Sequence, residues 1–179
     1  MLARISLAIA LFCVLTGAAA WAQFSGLFSG GVPVIEVSEL TAAFEEPATR
    51  DSRRVELDTP APKAADDDAK PLLPLDVRSE EEIAVSVIPG AITRAEYEAD
   101  PGRYAGYRLV PYCTVGYRSR QYTETLLDEG VDAVNFEGSI IAWVEAGQPL
   151  ETLDGEGTNR VHTWSSRFTV PDSYVQVYE

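Results

Sequence analysis

The sequence predicts an α/β fold: a central, mostly parallel sheet flanked by helices on both faces. Three observations carry this expectation. Short apolar runs at 72–77, 108–113 and 131–136 alternate with segments whose apolar residues fall at helical spacing. Pro-Gly and Gly punctuation at Pro89-Gly90, Pro101-Gly102, Gly130 and Gly147 separates them. The chain of 179 residues is long enough for one domain with a full core, and it carries no internal repeat.

The N-terminus comes first. Arg4 precedes the almost continuously apolar stretch Ile5 to Ala20, and Ala20-Trp21-Ala22 before Gln23 has the small-x-small form of a signal peptidase site. The apolar run falls short of the roughly 20 residues a membrane span needs. Residues 1–22 therefore read as a cleaved signal peptide, and the protein as exported, periplasmic in a bacterium. A retained N-terminal membrane anchor is the alternative. Cys13 lies inside the leader, preceded by Leu11 and Phe12 rather than by the small residues of a lipidation site.

Val32 to Val37 reads as a short strand, with Ser38 capping a helix through Phe44. Residues 46–71 shift to Pro, Ala and charge around Asp66-Asp67-Asp68, the texture of an exposed acidic insertion, with Arg54 to Leu57 as a stray edge strand. Leu72 to Val77 fits a buried strand, and Glu80 to Val85 a helix capped by Ser79. Ile88-Pro89-Gly90-Ala91 is a turn, and Thr93 to Asp100 a short helix. Arg108 to Cys113 is the next strand, although Pro111 argues against a central place in a ladder. Ser119 to Glu129 is a helix ending at Gly130, Val131 to Phe136 a third strand, and Ser139 to Ala146 a helix stopped by Gly147. The domain spans 32–150. The extension 151–179 carries Trp164, Phe168, Tyr174 and Tyr178, too many aromatics for a disordered tail, and is expected to pack on the domain.

Charge narrows the partners. Fourteen Lys and Arg against 28 Asp and Glu give a formal charge of −14, which would repel nucleic acid and anionic membrane surfaces. No nucleic-acid partner and no stable membrane association after cleavage are expected. Outside the leader the chain has one cysteine, Cys113, and one histidine, His162. Exported proteins usually pair their cysteines, so a lone thiol is either an inert buried hydrophobe or a reactive group. Its setting favours reactivity: Cys113 ends a strand, and Thr114-Val115-Gly116-Tyr117-Arg118 leads into a helix. Backbone N–H groups and a helix N-terminus converge there and favour the thiolate. Gly116 lets the loop curl, and Arg118 and Arg120 add positive charge suited to an anionic substrate.

Four motifs in order resemble the rhodanese family. Leu75-Asp76-Val77-Arg78, followed by Glu80-Glu81-Glu82, is similar to its second-strand motif and acidic helix; Ile88-Pro89-Gly90-Ala91-Ile92 resembles its turn. Tyr112 to Ser119 resembles its active-site loop, and Glu137-Gly138-Ser139-Ile140-Ile141-Ala142-Trp143 with Ala146-Gly147-Gln148-Pro149 its closing helix. The chain departs from the family at Ser86-Val87, where Gly-His is common, and at Gly138-Ser139, where Gly-Gly is usual. The resemblance implies a rhodanese-like fold and a sulfurtransferase. Cys113 would carry a persulfide, the loop Thr114, Val115, Gly116, Tyr117, Arg118 and Ser119 would bind substrate, and Arg118 would orient the donor. The donor that the resemblance implies is a small anionic sulfur compound such as thiosulfate, and the implied acceptor is cyanide or a thiol, including a protein thiol of the periplasm. No cofactor is implied.

Other chemistry is weaker. The loop is Cys-x4-Arg, whereas related phosphatases and arsenate reductases have Cys-x5-Arg, and Ser119 stands where their arginine would fall. One Cys and one His cannot form a structural zinc site, so no metal is expected. Asp76 and Arg78 read as supporting residues, in contact with substrate or, preferably, paired to fix the strand end. Tyr117 either walls the pocket or packs the loop. The competing function is a rhodanese module that carries sulfane sulfur or binds a partner without turnover.

Overall fold

In the computed structural model, residues 31–45 and 70–178 are described. The signal-peptide reading, the proposed cleavage after Ala22 and all but the last two residues of the 46–71 insertion lie outside them.

Leu72–Asp76 (β2) and Arg108–Tyr112 (β4) run parallel, Leu72 opposite Arg108 through Asp76 opposite Tyr112. Ile92–Thr93 (β3) adds to the other edge of β2, also parallel. Val34–Ile35 (β1) pairs in parallel with Asn135–Phe136 (β5). The two ladders are joined where Leu109 N–H donates to the Asp132 carbonyl and the Val134 N–H to the Leu109 carbonyl, both at 2.9 Å, around a Leu109–Ala133 bridge. The spatial order is therefore β1-β5-β4-β2-β3, an all-parallel sheet of short strands. Pro111 does lie in a central strand. Leu109 turns its polar groups toward β5, so Pro111, two residues on, faces the same side. It has no N–H to give, and β4 meets β5 through a bridge rather than a ladder.

Helices cover both faces. Val37–Glu45 (α1) and Ser139–Glu145 (α5) close one side, over a cluster that includes Leu40, Val110, Tyr112, Phe136, Ile140 and Trp143. Arg94–Ala99 (α3) and Tyr117–Asp128 (α4) cover the other, over Leu73, Leu75, Ile92, Tyr97, Leu109 and Leu126. Leu109 and Val110, adjacent on β4, belong to opposite clusters, as strand alternation requires. Glu80–Ile83 (α2) is a single turn held by a capping box between Ser79 and Glu82.

Several boundaries differ from the sequence expectations. α1 begins at Val37, so Ser38 is inside the helix and Glu36 precedes it, its N–H bound by the Glu39 carboxylate at 3.2 Å. α4 begins at Tyr117 rather than Ser119, because the left-handed Gly116 turns the chain directly into the helix. Thr93 caps α3 instead of starting it, and Ile92–Thr93 is a strand that periodicity could not show in two residues. Beyond α5, Leu150–Glu151 (β6) forms a hairpin with Gly157–Thr158 (β7), and Arg160–His162 (β8) pairs in parallel with Val175–Val177 (β9). Val161 is fully buried among Ile88, Tyr112 and Phe136, and the Tyr174 hydroxyl donates to the Gln148 carbonyl at 2.7 Å. Glu151 exchanges backbone hydrogen bonds with Val87 at 2.7 and 3.1 Å.

Candidate active site

Cys113 leaves the C-terminal end of β4 and is 1% exposed. Helix α5 shapes the loop that follows. The N–H groups of its first turn are free of intrahelical partners, and those of Ile140 and Ile141 donate to the carbonyls of Cys113 (3.2 Å) and Thr114 (3.3 Å). The Gly116 carbonyl is taken by Arg120 N–H at 3.1 Å and the Ser119 hydroxyl at 3.2 Å. With its carbonyls drawn away, the loop presents its N–H groups inward, and Gly116 N–H reaches Cys113 Sγ at 3.1 Å. Gly116 has φ +97°, and a Cβ there would overlap the Glu137 carbonyl. Only glycine suits that position. Burial alone would raise the Cys113 pKa. The Ser119 N–H and hydroxyl, with the N–H groups of Val115 and Gly116, outweigh it and hold the thiol below its ordinary value.

Arg118 is fixed by a residue that sequence reasoning did not single out. Glu82 on α2 accepts from Arg118 Nη1 (2.7 Å) and Nη2 (2.8 Å), while Nη2 also reaches Thr114 Oγ1 at 2.9 Å. Thr114 Oγ1 donates to Glu82 at 2.8 Å, and Ser79 N–H to the same carboxylate at 3.0 Å. Burial opposes the charge on Glu82, but Arg118, Ser79 and Thr114 overcome it and pull its pKa down to about 2. Glu82 in turn raises the Arg118 pKa against partial burial, and the nearby Cys113 sulfur adds to the rise. The Ser79-x-x-Glu82 spacing was legible as a capping box. Nothing local linked it to a guanidinium 36 positions away.

The structure brings Cys113, Thr114, Gly116, Arg118 and Ser119 together. Val115 and Tyr117 instead face outward, 44% and 71% exposed. Tyr117 therefore does not pack the loop. Asp76 and Arg78 stand beneath the site with no side-chain exposure, joined at 2.7 Å. Arg78 Nη2 also binds the Ser86 carbonyl at 2.5 Å, and its guanidinium lies 5.7 Å from the centre of the Tyr112 ring. The Tyr112 hydroxyl accepts from Ile88 N–H at 3.1 Å, tying the turn to β4. Ser139, also fully buried, accepts from Cys113 N–H at 3.0 Å. Beside the site, a groove of about 680 Å³ between α3 and α4 is lined by Arg94, Tyr97 and Tyr122, among others, and reaches Arg118 but not Cys113. Among the described residues no group of three or more His, Cys, Asp or Glu could hold a metal ion.

The rhodanese-like domain model matches residues 61–146. A sulfurtransferase of Allochromatium vinosum is 33% identical over 93 residues, spanning 49% of this chain and 86% of that protein. A tRNA uridine(34) hydroxylase of Xylella fastidiosa is 31% identical over 105 residues, and the match covers 53% of this chain but only 38% of the hydroxylase. Among solved structures, a rhodanese-like domain protein from Staphylococcus aureus is similar at 27% identity, with a TM-score of 0.48 and coverage of 68% and 98% of the two chains. A thiosulfate sulfurtransferase from Pseudomonas aeruginosa is 24% identical, with a TM-score of 0.47 and coverage of 70% and 21%. With a sulfurtransferase relative matched over most of its length, the chain belongs to the rhodanese-like family.

Proposed function

We propose that the protein is a sulfurtransferase that carries sulfane sulfur as a persulfide on Cys113. The observation that carries this reading is the ring of loop N–H groups around a buried, acidified thiol beside Arg118. In the first step the Cys113 thiolate attacks the outer sulfur of a donor such as thiosulfate. The S–S bond of the donor breaks, sulfite leaves with the bonding pair, and the new Sγ–S bond leaves its negative charge on the outer sulfur. In the second step the lone pair of cyanide or a thiolate attacks that sulfur, and the Sγ–S electrons return to Cys113. No external oxidant or reductant is needed. The loop N–H groups hold the anion in both states, while Arg118, fixed by Glu82, offsets the charge of the incoming donor.

The same reading puts Cys113 in an exported, periplasmic protein, with a small thiol or a protein thiol as acceptor. A carrier that docks on a partner and turns over poorly alone is the second reading, favoured by Val115 and Tyr117 projecting at the rim of the loop. A tRNA substrate is the poorer reading, because a chain of formal charge −14 repels the phosphate backbone.

Intact mass after incubation with thiosulfate tests the proposal. A gain of one sulfur atom, removed by cyanide and absent in Cys113→Ser, is expected. No gain with thiosulfate or with a small persulfide would sink the autonomous enzyme.

A further inference from the structure

Ser139 occupies a backbone conformation that side chains resist. Its φ is +52° at the start of α5, a left-handed value for a residue that is not glycine. The side chain held there lies beside Cys113. Ser139 Oγ accepts from Cys113 N–H at 3.0 Å, donates to the Phe136 carbonyl at 2.9 Å, and stands 3.9 Å from Cys113 Sγ. A hydroxyl has one proton, so it serves either Phe136 or the sulfur, and the Cys113 N–H bond fixes the oxygen as the pivot between them.

We propose that the Ser139 hydroxyl follows the charge on Cys113 Sγ, donating to the Phe136 carbonyl when the sulfur is neutral and turning to Sγ when it is a thiolate. The inference rests on the persulfide reading above for its place in the reaction. Sγ is anionic before the donor is attacked, neutral while the persulfide carries its charge on the outer sulfur, and anionic again as it leaves. The rotor would thus donate at the two moments when Sγ bears charge, and release it between them. Such a bond to a charged acceptor is stronger than one to a neutral carbonyl, which gives the turn its direction. Other groups act on this sulfur as well: the Ser119 N–H and hydroxyl and the N–H groups of Val115 and Gly116 already lower its pKa and stay in place in both variants. α4 supplies Arg118, with Glu82 of α2 behind it. Asp76 and Arg78 at the end of β2 neutralise each other. Tyr112 is kept neutral, its pKa raised well above the ordinary value, chiefly by burial. The first turn of α5 contains no acidic residue.

The test is the pH dependence of Cys113 alkylation by iodoacetamide in the full protein, in Ser139→Ala and in Ser139→Gly. Alanine removes the hydroxyl and keeps the strained backbone; glycine removes both, so its fold is not penalised by the left-handed turn. The expected result is a midpoint raised by about half to one pH unit in both variants, a three- to tenfold slower alkylation below the midpoint. An unchanged midpoint in Ser139→Gly, with the circular dichroism spectrum preserved, overturns the proposal. So does a shift confined to Ser139→Ala, which would report strain. Sulfur loading from thiosulfate, followed by mass in the same samples, separates the two ideas. If the unmodified protein takes up no sulfur, the sulfur-transfer reading fails while the alkylation midpoints still decide whether Ser139 donates to the thiolate.

Discussion

Two arginine–carboxylate pairs lie within the same end of the sheet, and they differ in solvent access. Arg78 and Asp76 are both sealed, with 0% side-chain exposure. Arg118 is 39% exposed, while its partner Glu82 is 1% exposed. In the first pair Arg78 Nε and Nη2 bind Asp76 and Nη2 also binds the Ser86 carbonyl, fastening β2 to the segment before the turn, while Nη1 is buried without a partner among the described residues. The second anchors one edge of a guanidinium that still meets solvent near Cys113. The same chemistry is thus a lock in one place and, under the proposed function, a substrate-facing tool in the other, and burial decides which.

The largest expected effect breaks the lock. Asp76→Asn leaves Arg78 buried without its counter-charge, and loss of one partner of a sealed pair costs about 3–5 kcal/mol. Urea unfolding reads it, and a loss below about 1 kcal/mol, the range of surface pairs, would erase the distinction drawn between the pairs. Glu82→Gln comes next. The shape of the cap survives, but Arg118 loses its anchor; sulfur loading from thiosulfate is expected to slow by at least about tenfold, an effect typical of mispositioned substrate clamps. Arg118→Lys sharpens the point, since a lysine cannot hold both carboxylate oxygens in a fork. Slower loading with an essentially unchanged melting temperature would mark Arg118 as the tool, whereas a collapse in stability would make it a second lock.

The smallest effect is in acid. Glu82 has a pKa near 2 in the folded protein, well below its ordinary value near 4.5. As pH falls, the unfolded chain takes up this proton first. The contribution of Glu82 is therefore complete above about pH 4.5 and is lost as pH falls toward 2. Stability measured over that window should decline less steeply in Glu82→Gln than in the unmodified protein. Equal slopes would show that other carboxylates govern the acid limb.

Much of the loop was readable because its parts are contiguous. Cys113 at a strand end, Gly116 three positions later and Arg118 after it are a local pattern, and the left-handed Gly116 is a property of that short segment. The roles of Ser139 and Glu82 were not readable. Ser139 reaches Cys113 across 26 positions and Glu82 reaches Arg118 across 36, and no periodicity reports such pairs. The extension beyond Pro149 was opaque for a different reason: its strands are two or three residues long, too short to show alternation.

The sequence by itself determined the alternation of strands and helices, the family motifs and the position of Cys113 at a strand end, because each is written in neighbouring residues through turn chemistry and hydrophobic spacing. Only the tertiary structure decided the sheet order, and which way the loop peptides face. That orientation depends on the N–H groups of Ile140 and Ile141 at the start of α5, which have no partner within the helix and so draw off the carbonyls of Cys113 and Thr114, leaving N–H groups turned toward the sulfur. A helix end must find acceptors somewhere, but which acceptors it finds depends on the packing of elements distant in the chain.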